Sequence, residues 1–273
     1  MSPWVAVDLD LDQFASHGYL RLPGALDGDL VADWAQSALP RLRDRPFELK
    51  DAVPPAQTLA TIDPDDPATW RWRRATLRGA DRARIAEVAP DVLATVGALV
   101  GGVDRVATRH ITDYLIMAFP QRGLRRLLPA RLPNPRRGSW HLDDPGPAMR
   151  LTGWRNAILL IVLFSDIDPG GGGPVLACDS PAHVARLLAG SDGVDFVDRT
   201  ATREIVSRCS RIEEVTGRAG DVLVCHPFLL HCPSANRSRR LRVLANPMLQ
   251  VVDELDFANG TSPLEQVTRG WLA

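Results

Sequence analysis

No apolar run in this sequence approaches the length needed to cross a bilayer, and Met1-Ser2-Pro3-Trp4-Val5 opens without a basic, signal-like segment. The expectation is therefore a cytoplasmic protein. Charge of one sign is also missing: the formal net charge is −1, so no global field draws the chain to nucleic acid or to a membrane surface. Cysteine is scarce. The four present, Cys178, Cys209, Cys225 and Cys232, form no CxxC pair, which argues against a disulfide frame and against a structural zinc site. Four consecutive glycines, 170 to 173, are not followed by the GK[ST] of a phosphate loop, so a tight crossover between strands is the expected use. There is no internal repeat.

What is present fits one large soluble domain. A chain of 273 residues that is 45% hydrophobic and 24% charged has material for a sizeable core. Asp12 to His17 read as a short helix stopped by Gly18, followed by a strand Tyr19-Leu20-Arg21-Leu22. Asp29 to Arg43 carry apolar residues at helical spacing, and Asp81 to Leu99 do so again with a break near Pro90. Residues 44–80, rich in Pro, Asp, Arg and Trp, read as an irregular cover, with Trp70 and Trp72 anchoring it or lining an entrance. The expected organisation over 1–273 is a helical and irregular N-terminal cover (1–105), a barrel core (106–250) and a C-terminal tail (251–273).

From Val103 the period changes. Arg109 to Phe119 is extended, with Asp113, Leu115 and Met117 on one face and Thr112, Tyr114 and Ile116 on the other. If the first face looks into a pocket, Asp113 is a candidate polar contact; a carboxylate at a wet strand edge is the alternative. Six arginines crowd 120–138, which reads as a solvated loop or a lid favouring an anionic substrate. Asn156 to Leu163 is a continuous apolar run, the mark of a strand covered on both faces. Residues 190–212 read as surface loop, Val222 to Cys225 as a strand, and Arg242 to Leu249 as another. Short strands with Gly/Pro turns point to an antiparallel barrel or sandwich with flanking helices.

The chemistry concentrates in Ser139-Trp140-His141-Leu142-Asp143. In an extended segment His141 and Asp143 point to the same side. A distant His231 completes two imidazoles and one carboxylate, the facial set of non-haem Fe(II) sites with open positions. The bland alternative is a loop histidine at 141 and a buried, backbone-bonded one at 231. Arg242 shifts the balance: it sits between Leu241 and Val243 where burial is expected, and a buried guanidinium needs a carboxylate, which it grips at two points. A dicarboxylate bound to the metal at one end and to Arg242 at the other accounts for both features.

Trp140-His141-Leu142-Asp143, the segment from Ile158 to Gly173, the segment from Gly220 to His231, Asn236-Arg237-Ser238 and Arg242 together resemble the phytanoyl-CoA dioxygenase family of Fe(II)/2-oxoglutarate-dependent oxygenases. Phe14 to Gly24 also looks like that family's opening, and 40–105 is the least alike. The resemblance implies a mainly β fold with flanking helices, a double-stranded β-helix (a jelly-roll, cupin-like barrel) with the metal at its mouth. It implies that His141, Asp143 and His231 bind Fe(II) and that Arg242 binds the distal carboxylate of 2-oxoglutarate. The family's hydroxyl two positions after the distal histidine falls here on Pro233; Ser234 and Asp113 are the further candidate cosubstrate contacts. The implied reaction consumes O2 and 2-oxoglutarate, releases succinate and CO2 and hydroxylates a C–H bond, with ring closure or desaturation as variants. Related halogenases have a small residue at the position of Asp143, so its presence implies hydroxylation. The expected partner is a small molecule such as a secondary-metabolite intermediate, and the expected state a monomer or small homo-oligomer. A cupin-like isomerase or hydrolase without 2-oxoglutarate, and a non-catalytic binding barrel, are the competing readings.

Overall fold

The computed structural model describes residues 8–38, 66, 74–78, 83–111, 114–121, 132–134, 138–143, 148–197 and 199–273. Asp113, Asp144, Trp70, Trp72 and all six arginines of the 120–138 segment lie outside them. Two antiparallel sheets face each other, as in a jelly roll. The larger runs in the order β1 (Tyr19–Leu22), β7 (Val222–Cys225), β4 (Thr152–Leu163), β9 (Arg242–Ala245), β3 (Tyr114–Ala118) and β2 (Arg74–Arg78), and β10 (Met248–Asp256) also pairs with β4. The smaller has β5 (Val175–Ala177) between β6 (Ile212–Glu214) and β8 (His231–Cys232).

Period two divides the large sheet between two cores. On β4, Ile158, Leu160 and Val162 join the outer core under the helices, whereas Leu159, Ile161 and Leu163 point inward toward the small sheet. Both faces are covered, which is why the sequence there is apolar without interruption. On β9 the outer residues are Val243 and Ala245, so Arg242 shares the inward face with Leu244.

Seven α-helices flank the sheets among the described residues: α1 (Leu11–His17), α2 (Gly28–Ala38), α3 (Ile85–Val88), α4 (Pro90–Val100), α5 (Ser180–Ala189), α6 (Thr200–Arg208) and α7 (Pro263–Gly270). Gly18 closes α1 in the left-handed region at φ 73°, as the sequence predicts. None is long and apolar enough to cross a membrane. Several expectations need correction. The strand expected at Tyr19–Leu22 is β1, but the segment 44–80 read as irregular cover also supplies a strand, β2, to the large sheet. The segment read as loop at 190–212 contains α6, whose buried Ile205 and Val206 give it an apolar face. The strand expected over 242–249 is two strands, broken around Pro247, which has no N–H for a ladder. The tail is tied down by a capping box, Ser262 and Glu265 bonding each other's backbone N–H at the start of α7.

The glycine run serves close approach. A Cβ on Gly173 would meet the Val215 carbonyl oxygen at 1.9 Å, and Gly172, at φ 85°, lies against the backbone of Asn236. The turn thereby presses on the segment that leads into Arg242.

His226 fastens α7 to the barrel. Its Nδ1 accepts from the Phe228 N–H (3.0 Å), which places the proton on Nε2, 2.8 Å from the Thr268 hydroxyl; that hydroxyl donates onward to the Leu264 carbonyl. Phe14, Phe228, Phe257 and Trp271 enclose the ring. Burial holds its pKa down at about 3. The unfolded chain takes up this proton near pH 6.5 and the native chain only near 3, so the contribution to stability is full above 6.5 and is lost as pH falls between the two values. Unfolding free energies from urea titrations between pH 7 and 4 are expected to fall less steeply for His226→Gln, by up to about 1.4 kcal/mol per pH unit. Equal slopes for the two proteins would contradict the assignment.

Candidate metal centre

The strand-like segment 139–143 lies beside β8. His141 and His231 form an antiparallel bridge in which each N–H donates to the other's carbonyl, at 3.0 and 3.1 Å. Directly opposed residues share a face, and the rings meet with centroids 4.4 Å apart. One residue either side, Trp140 and Leu142 turn into the outer core, so alternation returns Asp143 to the face of His141. Asp143 Oδ1 stands 3.5 Å from His141 Nε2, and Oδ2 stands 3.6 Å from His231 Nε2. The three donor atoms lie within 4.8 Å of one another.

The ring tautomers are fixed from behind. His141 Nδ1 lies 2.8 Å from the Ser139 carbonyl and His231 Nδ1 lies 3.1 Å from the Leu229 carbonyl. A carbonyl only accepts, so Nδ1 carries the proton and each Nε2 presents a lone pair toward Asp143. His231 Nε2 is buried and has no hydrogen-bond partner. A buried acceptor left empty is costly, and a cation at the common focus satisfies it. Ligands at about 2.1 Å from a metal and at right angles are about 3 Å apart, so a small contraction closes the set. Two imidazoles and a carboxylate suit a borderline divalent metal with open positions.

Electrostatics agree with that use. Burial, followed by the positive charge of His231, lowers the pKa of His141, with Asp143 opposing. Burial works against ionisation of Asp143, yet His231 and the contacts to both imidazoles prevail and hold it well below the usual carboxylate range. Burial also opposes charge on His231, and the Asp143 carboxylate overcomes it and raises the pKa. A metal ion held by the three residues would take the place of the His231 proton in this pairing.

The triad borders a cleft with an empty volume of about 480 Å³, whose walls include Ile116, Ile161 and Leu244. Arg242 lies in the same cleft and is buried, at 3% exposure. Its Nε donates to the Gly172 carbonyl (2.9 Å) and its Nη1 to the Ile116 carbonyl (3.0 Å). Among the described residues no carboxylate forms an ion pair with it, so the expected carboxylate partner is not supplied by these residues. Ser234 does not share the cleft. Its hydroxyl donates to Glu214 Oε1 (3.3 Å) and borders a separate cavity beside Gly170 and Arg237, whereas Pro233 faces the metal side. Asp113 lies outside the described residues. Of the face it was assigned to, Leu115 and Met117 pack in the outer core, and it is Ile116, from the opposite set, that lines the cleft.

Three residues escaped the sequence reading. Asn246 donates from Nδ2 to Asp143 Oδ2 (2.6 Å), and the Tyr114 hydroxyl donates to the Asn246 carbonyl (2.7 Å). Arg74 lines the cleft from β2. A polar Asn between Ala245 and Pro247, in an otherwise apolar run, was the available signal for the first.

No family model and no curated protein matches the sequence. Among solved structures the chain is similar to the non-heme alpha-ketoglutarate-dependent carbocyclase SnoK from nogalamycin biosynthesis, at 15% identity and TM-score 0.50, covering 89% of this chain and 83% of that one. It is also similar to EctD from S. alaskensis in its apo form, at 18% identity and TM-score 0.51, covering 95% and 80%. These likenesses establish the fold, an antiparallel jelly roll with flanking helices.

Asn246→Ala is expected to weaken metal binding roughly ten- to hundredfold by freeing Asp143, with little change in thermal stability. Titration with Mn(II) checks this; an unaltered affinity would remove Asn246 from the site.

Proposed function

We propose that this chain is an Fe(II)/2-oxoglutarate-dependent oxygenase of the phytanoyl-CoA dioxygenase type, hydroxylating a C–H bond of a small molecule. The observation that carries the reading is a single cleft with a three-ligand face at one end and, at the other, a buried guanidinium with no carboxylate partner among the described residues. His141, His231 and Asp143 hold the metal on one side and leave the cleft side free for ligands. Arg242 receives the distal carboxylate of 2-oxoglutarate, and desolvation inside the cleft strengthens that pairing. Ile116, Ile161 and Leu244 present apolar walls beside these two ends, which keeps water from competing for them. Asn246, braced by Tyr114, holds the orientation of Asp143. When bound, iron with 2-oxoglutarate supplies the oxidising power: O2 is consumed, 2-oxoglutarate becomes succinate and CO2, and one oxygen atom enters the substrate C–H bond. Asp143 occupies the third ligand position, which favours hydroxylation over halogenation. SnoK and EctD share the fold at low identity, and SnoK is described as alpha-ketoglutarate dependent, in keeping with this reading.

Succinate release from Fe(II), 2-oxoglutarate and O2 tests it. Asp143→Ala is expected to abolish release together with metal binding, and Arg242→Lys to raise the 2-oxoglutarate requirement roughly tenfold or more, because a point charge replaces a two-point grip. Full activity in the Asp143 variant would overturn the triad. A wild-type protein that binds Fe(II) and releases no succinate would assign Arg242 to a substrate's own acid group.

A further inference from the structure

A second set of metal-ligating side chains has no task in the chemistry above. Asp179, His183 and Cys209 each bring one donor atom to a common place, and these atoms lie within 4.8 Å of one another. None of the three borders the cleft of the triad. Asp179 immediately precedes α5, and His183 sits four residues on, one helical turn along. Cys209 immediately follows α6. The set forms where the start of one helix meets the end of the next. With 26 positions separating its histidine from its cysteine (209 − 183), no CxxC spacing announces it.

Asp179 is the residue that needs explaining. It holds the N-cap position of α5, where an aspartate ordinarily accepts from first-turn N–H groups, yet its side chain makes no such bond. Oδ2 instead accepts from the N–H and the hydroxyl of Ser210, both at 2.8 Å, which fixes the plane of the carboxylate. Oδ1 is buried and accepts no hydrogen bond among the described residues. The Cys209 thiol beside it directs its hydrogen to the Ile205 carbonyl (3.5 Å). A buried carboxylate oxygen left without a donor is costly, and a cation held between Oδ1, Sγ and the imidazole satisfies it. Thiolate, imidazole and carboxylate together select zinc. Tetrahedral ligands at about 2.2 Å from the ion stand about 3.6 Å apart, so small side-chain rotations close the set. All three residues are half-buried, which leaves a fourth position for water. The positive end of α5 opposes a cation there, an effect confined to one turn, and α6 brings its negative end to the same place.

We propose that Asp179, His183 and Cys209 form a zinc site that fastens the excursion between β5 and β6. The chain leaves the small sheet after Ala177, runs through α5 and α6 and rejoins it at Ile212. The Cys178 N–H, 2.9 Å from the Arg211 carbonyl, and the Ser210–Asp179 contacts already close the base of this excursion. An ion joining both helix ends closes it once more. On binding, the Cys209 thiol gives its proton to solvent and the thiolate takes a coordinate bond to the ion. Co(II), which replaces zinc in such sites, is titrated into the wild type, Cys209→Ser and His183→Gln. The expected result is a near-ultraviolet thiolate-to-cobalt band that saturates at one Co(II) per chain, is bleached by Zn(II) and is absent from Cys209→Ser. His183→Gln is expected to weaken Co(II) at this site roughly tenfold or more with circular dichroism unchanged. Co(II) bound at His141, Asp143 and His231 gives no such band, because those ligands include no thiolate, so the outcome is independent of the oxygenase reading. A wild type without the band, or a full band retained in Cys209→Ser, overturns the proposal. Should Cys209→Ser fail to fold, a Co(II) affinity unchanged by His183→Gln overturns it.

Discussion

The site depends on two backbone hydrogen bonds, those exchanged between His141 and His231. The residues are 90 apart in sequence (231 − 141), and no local motif brings them together. A reciprocal antiparallel pair fixes their register to a single residue, and a slip of one position would turn either imidazole away from the cleft. That pairing extends the small sheet by one segment and sets it against the inward face of β4 and β9. The orientation of Asp143 and the facing position of Arg242 both follow from it.

Arg242 carries the second constraint. A guanidinium buried on the inward face of β9, with Leu244 two residues on, opposes the burial that folds the rest of the sheet. The fold accommodates it with the Gly172 and Ile116 carbonyls. The first of these is available because the glycine turn packs tightly on Val215 and Asn236. The glycine run that resembles a phosphate loop in sequence thus serves to place one carbonyl beside a cation. The asymmetry of the cleft, lone pairs at one end and N–H donors at the other, matches a ligand with an acidic group at each end.

Much of this was legible in the sequence where alternation alone decides. The HxD face, the doubly covered β4 and the odd arginine between Leu241 and Val243 are local patterns, and a period of two is enough to read them. Partners set by cross-strand register were not legible. Arg74 faces Arg242 only because β2 and β9 flank β3 at matching positions, and nothing in residues 44–80 announces a strand that joins the main sheet. Which face of β3 looks into the cleft was left open by the sequence: alternation gives the sets, and only the neighbouring strands say which set looks inward. His226 lies five residues before His231 and is just as buried, yet it is a structural residue. Burial does not separate the two; the difference is that both ring nitrogens of His226 have partners, while Nε2 of His231 has none.

The central claim is that one cleft holds a metal and a 2-oxo dicarboxylate in contact with each other. The visible absorption of the Fe(II) protein under anaerobic conditions, recorded while 2-oxoglutarate is added, tests it most directly. The expected result is a charge-transfer band that saturates at one 2-oxoglutarate per chain and is absent from Asp143→Ala. A protein that binds Fe(II) at the triad and shows no spectral change with 2-oxoglutarate would contradict it.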